Sequence, residues 1–331
     1  MFNIRLRTAA GTAALAALLL PAAHASDPAA VYPDRPIRIV VPYGAGGAAD
    51  ILARVLAEGL TKEWHQSVIV ENKPGGVGTI GTTLVVKAAP DGYTLVSMPV
   101  SDLAVNPHLY RRRPFDVLKD LSPVSKVGAV PNILVVSKTL GVRDAKGLIA
   151  AARAKPPGTI TYSSPGVGSQ AHLAAEIFSE RAGIKMLHIP YNSVSAALTD
   201  VAGGQVDVMF SQLPTALPFI EAGKVQALGM ATEARSVLMP DMPTLKEATG
   251  LSFGDAISWS GLMAPADTPL ALRQKIAQSV SRVMQSAEVQ QKLAALGTVG
   301  LGGTPQELSQ AISDDYQRYG EIVQRLDIRL D

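Results

Sequence analysis

The chain has 331 residues, 47% hydrophobic and 18% charged, with 30 Lys and Arg against 28 Asp and Glu and no cysteine. Such a length exceeds what one hydrophobic core serves, so two domains are expected, and the composition excludes long disorder. Near-neutral charge gives no electrostatic basis for nucleic acid or an anionic membrane, and the missing cysteine removes disulfides, thiolate chemistry and an N-terminal lipid anchor.

Residues 1–25 read as a cleaved secretory signal. Arg5 and Arg7 are followed by an apolar run to Leu20, then Pro21 and the small-x-small site Ala23-His24-Ala25. The expected mature chain starts at Ser26, and loss of the two arginines leaves 28 residues of each charge. Leu6 separates the arginines, which favours export in the unfolded state.

The first strand is expected over Ile37 to Val41. It runs through Pro42 into the glycine loop Tyr43-Gly44-Ala45-Gly46-Gly47, and a helix follows with Ile51, Leu52, Val55, Leu56 and Leu60 at helical spacing. Such a strand–loop–helix start aims free backbone N–H groups and the positive end of a helix dipole at one spot, where an anion fits. Strands over Ser67 to Val70 and Thr94 to Met98 and a helix over Ile80 to Ala89 continue an α/β pattern covered by helices on both faces. Arg111-Arg112-Arg113, before Pro114, is expected in a solvated loop.

After an apolar strand at Ile133 to Val136 and a helix at Asp144 to Ala154, the opening motif repeats. Strand Thr159 to Tyr162 leads into Ser163-Ser164-Pro165-Gly166-Val167-Gly168-Ser169, and a helix from Gln170 to Ala182 stops at Gly183. Two such units suggest two α/β domains aiming helix N-termini at a shared cleft. Asn192 or Ser193 is expected to cap a helix to Ala202. Strands follow at Gln205 to Ser211 and Val225 to Ala231, a linker-like break at Pro240 to Pro243, and a strand over Ile257 to Met263 that returns the chain to the first domain. The remainder is helical, with Pro269 at a helix start after Thr268, Ser286 as a cap, and a capping box at Thr304-Pro305-Gln306-Glu307.

Along the mature chain, Tyr32-Pro33, Pro36 to Tyr43, Gly46-Gly47 and Asp50 resemble the opening of the periplasmic solute-binding proteins of tripartite tricarboxylate transporters, the Bug type named for Bordetella uptake. Val70 to Gly76, Ala89 to Leu95, Asn106 to Tyr110, Gly168 to Glu176 and Gly203 to Asp207 continue the likeness. The resemblance implies an α/β, two-domain periplasmic-binding-protein (Venus-flytrap, type II) fold, each domain a mixed sheet flanked by helices, joined by two crossover strands. The expected division is 26–130 plus 256–331 for one domain and 131–255 for the other. It also implies a small carboxylate held in the cleft by the two glycine loops, and delivery to the membrane components of a tripartite tricarboxylate transporter, or display to a sensor kinase ectodomain. A monomer without cofactor or catalytic step is expected.

The residues expected at the ligand are Tyr43, Gly44, Ala45, Gly46, Gly47, Ala49 and Asp50; Ser101, Asp102 and Asn106; Ser163, Ser164, Gly166, Gly168 and Ser169; and Tyr191, Asn192 and Asp207. Three depart from the family pattern. Ala49 lacks a common threonine hydroxyl, Tyr191-Asn192-Ser193 lacks a common lysine, and Asp102 stands where a small or hydroxylic residue is usual. If Asp102 faces the cleft, its charge would repel a dicarboxylate and favour a ligand carrying an ammonium. Bland readings compete: Asp50 as a first-turn acid, the serines as turn formers, Tyr43 as a core aromatic, Asp207 as a cap. His172 and Glu176 share the i, i+4 spacing of metal ligands, but a third ligand is not evident and packing or capping suits His172 better. An exported dinucleotide-binding enzyme is the rival function, since Gly44-x-Gly46-x-x-Ala49 and Glu71 fit that fingerprint. A serine hydrolase is excluded by the lack of a Gly-x-Ser-x-Gly elbow.

Overall fold

The computed structural model describes residues 32–110, 113–233, 235–236, 239–252, 257–325, 327–328 and 330. The expected signal segment, Arg111 and Arg112 lie outside them. β1 (Ile37–Val41) is buried along its whole length except at Arg38, as a strand covered on both faces must be. It leads through the first glycine loop into α1 (Ala48–Trp64), whose Leu52, Val55, Leu56 and Leu60 are buried as their spacing predicts. β2 (Val68–Asn72), α2 (Thr79–Val86) and β3 (Thr94–Pro99) complete a parallel β2–β1–β3 unit. A wide π-helical turn at Ser101–Val105 then runs into the short α3 (Asn106–Leu109).

β4 (Leu121–Ser137) is far longer than the expected Ile133–Val136. Next come α4 (Ala145–Arg153), capped by Asp144, then β5 (Thr161–Ser164) and α5 (Gln170–Ala182). β6 (Leu187–Pro190), α6 (Val194–Ala202), β7 (Val208–Gln212), α7 (Leu213–Glu221), β8 (Val225–Met230) and α8 (Leu245–Thr249) follow. β9 (Ile257–Pro265) leads to α9 (Leu270–Met284), α10 (Ala287–Ala295), β10 (Val299–Gly300) and α11 (Pro305–Arg325).

The strands join in the order β2-β1-β3-β9-β4-β7-β5-β6, with β8 and β10 also paired to β4. β4 changes partner midway: Leu121 to Pro131 lie antiparallel to β9, whereas Asn132 to Ser137 pair with β7 and β8. That change divides the sheet into two halves, each with helices and an apolar cluster on both faces. The early part of β4 escaped the sequence reading because Pro123, Gly128 and Pro131 read as breaks. Two register shifts against β9, at Pro123/Ser125 and Lys126/Gly128, accommodate Pro123 and Gly128, while Pro131 stands at the end of that pairing, opposite Ile257.

α7 was not foreseen because it contains two prolines; Pro214 sits in the first turn, where no intrahelical N–H is needed, and Pro218 is tolerated one turn on. α8 lies just past the expected break and carries a readable signal, the Thr244-x-x-Glu247 capping box, with bonds of 3.1 and 2.9 Å. Ser193 and Ser286 cap as expected, and Thr304 and Glu307 form their box. Pro269 occupies the cap position rather than the first helical one.

Candidate ligand-binding site

Two loops of like construction face one another. In the first, Pro42 to Gly47, Gly46 takes a left-handed φ of +83°, and Gly47 precedes α1 without any side-chain cap on the helix. Its shape is held from behind by Asp50, which is 3% exposed. The Asp50 carboxylate accepts the Gly46 N–H at 2.8 Å, Arg54 Nε at 2.9 Å and Asn72 Nδ2 at 2.9 Å. Burial alone would raise this acid, but those hydrogen bonds outweigh it and hold the carboxyl below its ordinary value. Asn72, at the end of β2, also donates to the Tyr43 carbonyl at 3.1 Å, so the loop is tied to its neighbouring strand.

In the second loop, Ser163 to Ser169, the hydroxyls are committed locally. Ser169 caps α5 by accepting the His172 N–H and donates to the Gly166 carbonyl at 2.7 Å. Ser164 donates to the same carbonyl and sits 2.7 Å from His188 Nε2. His172 Nδ1 accepts the Gly168 N–H at 3.3 Å, which requires a neutral ring. Burial, with the neighbouring His188, lowers the His172 pKa to about 4. A side chain at Gly168 is strained by its φ of +78°, and it would also have to displace Leu109, whose Cδ1 would lie 2.1 Å from an added Cβ.

Both loops line a cavity of about 750 Å³. Of the expected residues, Tyr43, Gly44, Gly47, Ala49, Asp50, Ser101, Asn106, Gly166, Gly168, Ser169, Tyr191 and Asn192 stand on its wall. Ala45 and Gly46 belong to the same loop but lie off the wall, and four side chains are set back behind it. Ser163 is fully buried and bonded to the Ala197 carbonyl, and Ser164 is taken up as described. Asp207 accepts the Thr161 N–H and hydroxyl at the opposite end of β5 from the loop. Asp102 does not face the cleft: it is fully buried, under Tyr43 and Asn106. The wall also includes Asn132, Gln212, Ser258 and Ser260, which sequence reading missed; polar residues inside otherwise apolar strands were the available signal. Among the described residues of the wall none is Lys, Arg or His.

Asp102 Oδ1 accepts the Tyr43 hydroxyl at 2.6 Å and Asn106 Nδ2 at 2.7 Å, while its Oδ2 is buried without a partner. Burial pushes its pKa up to about 6 against the pull of Tyr43, Arg113 and Asn106. Arg113 is not in a solvated loop. It is drawn inward, stacks 4.6 Å over Phe115 and donates to the Asp102 backbone carbonyl at 3.2 Å. Tyr191 donates to Asp200 at 2.6 Å. His172 and Glu176 serve separate partners, Glu176 accepting the Tyr162 hydroxyl. Glu71, the acid of the dinucleotide fingerprint, is paired with Lys73 and Arg38.

Two helix-flanked half-sheets that share β4, around a cavity between matching loops, define a two-lobed α/β fold. The chain belongs to the tripartite tricarboxylate transporter family receptors, whose profile matches residues 52–328. It is similar to Protein BugT of Bordetella pertussis, 36% identical over 300 residues that cover 90% of this chain and 91% of that protein. Among solved structures, R. palustris Rpa4515 with adipate is 31% identical with a TM-score of 0.82, over 90% of this chain and 100% of that one. MatC (Rpa3494) from Rhodopseudomonas palustris with bound malate is 28% identical with a TM-score of 0.76, over 88% and 100%.

Proposed function

We propose that the protein is an exported, periplasmic receptor that captures a small organic acid between its lobes and delivers it to a tripartite tricarboxylate transporter, with no chemical step. The observation that carries this is the cavity wall: two glycine loops and two helix N-termini, without a basic side chain among its described residues. Backbone N–H groups and helix ends hold a carboxylate at neutral charge, and waters complete its shell. The family membership and the adipate and malate in similar structures support the same ligand class. The lobes are 26–130 with 256–331, and 131–255, so that β4 and β9 are the crossovers. An acid that bonds to both loops favours the closed arrangement, and the membrane partner reads that arrangement.

Calorimetric titration and thermal shift of refolded, ligand-stripped mature protein against adipate, malate, amino acids and aromatic acids test this. An acid at a hundredfold its Kd adds about 2.7 kcal/mol, which raises the Tm by roughly 4 °C or more. A shift with a dinucleotide and none with any acid overturns the proposal.

A further inference from the structure

We propose that Asp102 sets the ligand preference of the cleft without touching the ligand. By holding the Asn106 amide with its NH2 turned inward, it leaves Asn106 Oδ1 as an acceptor on the wall. The site then selects an acid whose second polar group is a donor, an ammonium or a hydroxyl, over a diacid of the same length. This rests on the carboxylate-binding reading above.

The hydrogen-bond polarity around Asp102 has one solution. An ionised carboxylate only accepts, so Asn106 can offer it only the amide NH2. Tyr43 must likewise donate its hydroxyl proton to the same oxygen. Neither residue then has that proton for a ligand carboxylate. Among the described residues nothing donates to Asn106 Oδ1, and this oxygen, unlike Asp102 Oδ2, is not sealed from solvent; Asn106 itself stands on the cavity wall.

The charge acts in the same direction. Asp102 Oδ2 is buried without a partner against Gly78, where an added Cβ would come within 2.7 Å of it. Arg113 reaches the Asp102 backbone carbonyl, and a guanidinium nitrogen beyond that is buried unpaired, so the carboxylate lacks a contact ion pair. Arg113 lies near enough to pull the Asp102 pKa down and so offsets part of this charge; the remainder is felt across the wall. A second ligand carboxylate at this wall would meet both an acceptor and an anion, whereas an ammonium or hydroxyl would pair with Asn106 Oδ1.

The test is calorimetric titration of stripped wild type, Asp102→Asn and Asn106→Ala with chain-matched acids of two lengths. The first set is adipate, 6-aminohexanoate, 6-hydroxyhexanoate and hexanoate; the second is succinate, 4-aminobutanoate and 4-hydroxybutanoate. In wild type the amino or hydroxy acid should bind at least about tenfold more tightly than the matched diacid, since a site that pairs a donor leaves its acceptor unsatisfied otherwise. In Asp102→Asn the amide of Asn106 is free to turn, and in Asn106→Ala the acceptor is gone, so in both the ratio should fall to within about threefold. A purely structural role for Asp102 would weaken all ligands together and leave the ratio unchanged. A wild-type preference for the diacids, or an unchanged ratio in either variant that melts cooperatively, overturns the inference alone. If no acid in any set or screen binds the wild type, the carboxylate reading fails and this inference with it.

Discussion

Asp50 and Asp102 are both almost completely buried, at 3% and 0% exposure, yet their surroundings drive them in opposite directions. Asp50 receives three donors, one a guanidinium, and its pKa falls; Asp102 receives two neutral donors on one oxygen, and its pKa rises to about 6. The raised value means that Asp102 favours the fold most when protonated. Its contribution is complete below the unfolded value near 4 and is lost as pH rises through about 6, a change of about 2–3 kcal/mol. Urea unfolding of wild type and Asp102→Asn at pH 4.5 and 8 measures it. Relative to the variant, wild type should be more stable at the lower pH by a substantial part of that amount, and a pH-independent difference would refute the assignment.

At the scale of elements, the second loop depends on a histidine beneath it. Gly168 donates to His172 Nδ1, and His188 packs on His172 with ring centroids 4.4 Å apart. A proton on His172 removes the acceptor and places a cation in a buried ring stack. Because its folded pKa is depressed, the stability tied to neutral His172 is present above about 6.5 and is lost as pH falls toward about 4. His188, also lowered by burial, adds in the same direction. Acidification from pH 7 to 4.5 should therefore weaken acid binding through this loop as well as the fold. His172→Gln keeps an acceptor for Gly168 without titrating, and should reduce the loss of stability by about 1–2 kcal/mol, read from urea midpoints at the two pH values. Equal acid sensitivity in wild type and variant would exclude His172 as its source.

Across the whole molecule the two halves also touch away from β4, the strand they share. Leu173 on α5 is fully buried in the cluster of the first half, and Ile177 packs against it. Gln170 and Tyr319 exchange hydrogen bonds of 3.0 and 3.1 Å, and Arg325 pairs with Glu180 at 2.6 Å. The exposed ion pair contributes little, so the apolar seam carries the coupling. Leu173→Ala should cost about 2–5 kcal/mol, and differential scanning calorimetry should show one transition in wild type and a broadened or split one in the variant. Two separate transitions in the wild type would show that the seam does not couple the lobes.

What the sequence determined by itself was local. Apolar spacing and glycine placement set the bounds of β1 and α5 and the buried stripe of α1, because those elements each bury one contiguous run or stripe. The duplicated strand–loop–helix unit made the two-lobed plan and the two wall-forming loops readable. Tertiary structure decided the rest. Whether β4 runs through Pro123 and Gly128 depends on the register shifts it makes against β9, a partner well over a hundred residues away. Whether Ser163, Ser164 and Asp207 reach the cavity depends on the neighbours that take their hydrogen bonds first. Asp102 shows this most plainly. An acid in an apolar stretch announces importance in the sequence. That it lies under Tyr43 and Asn106, and so can act only through them, is settled by packing that brings residues 43 and 102 within one hydrogen bond.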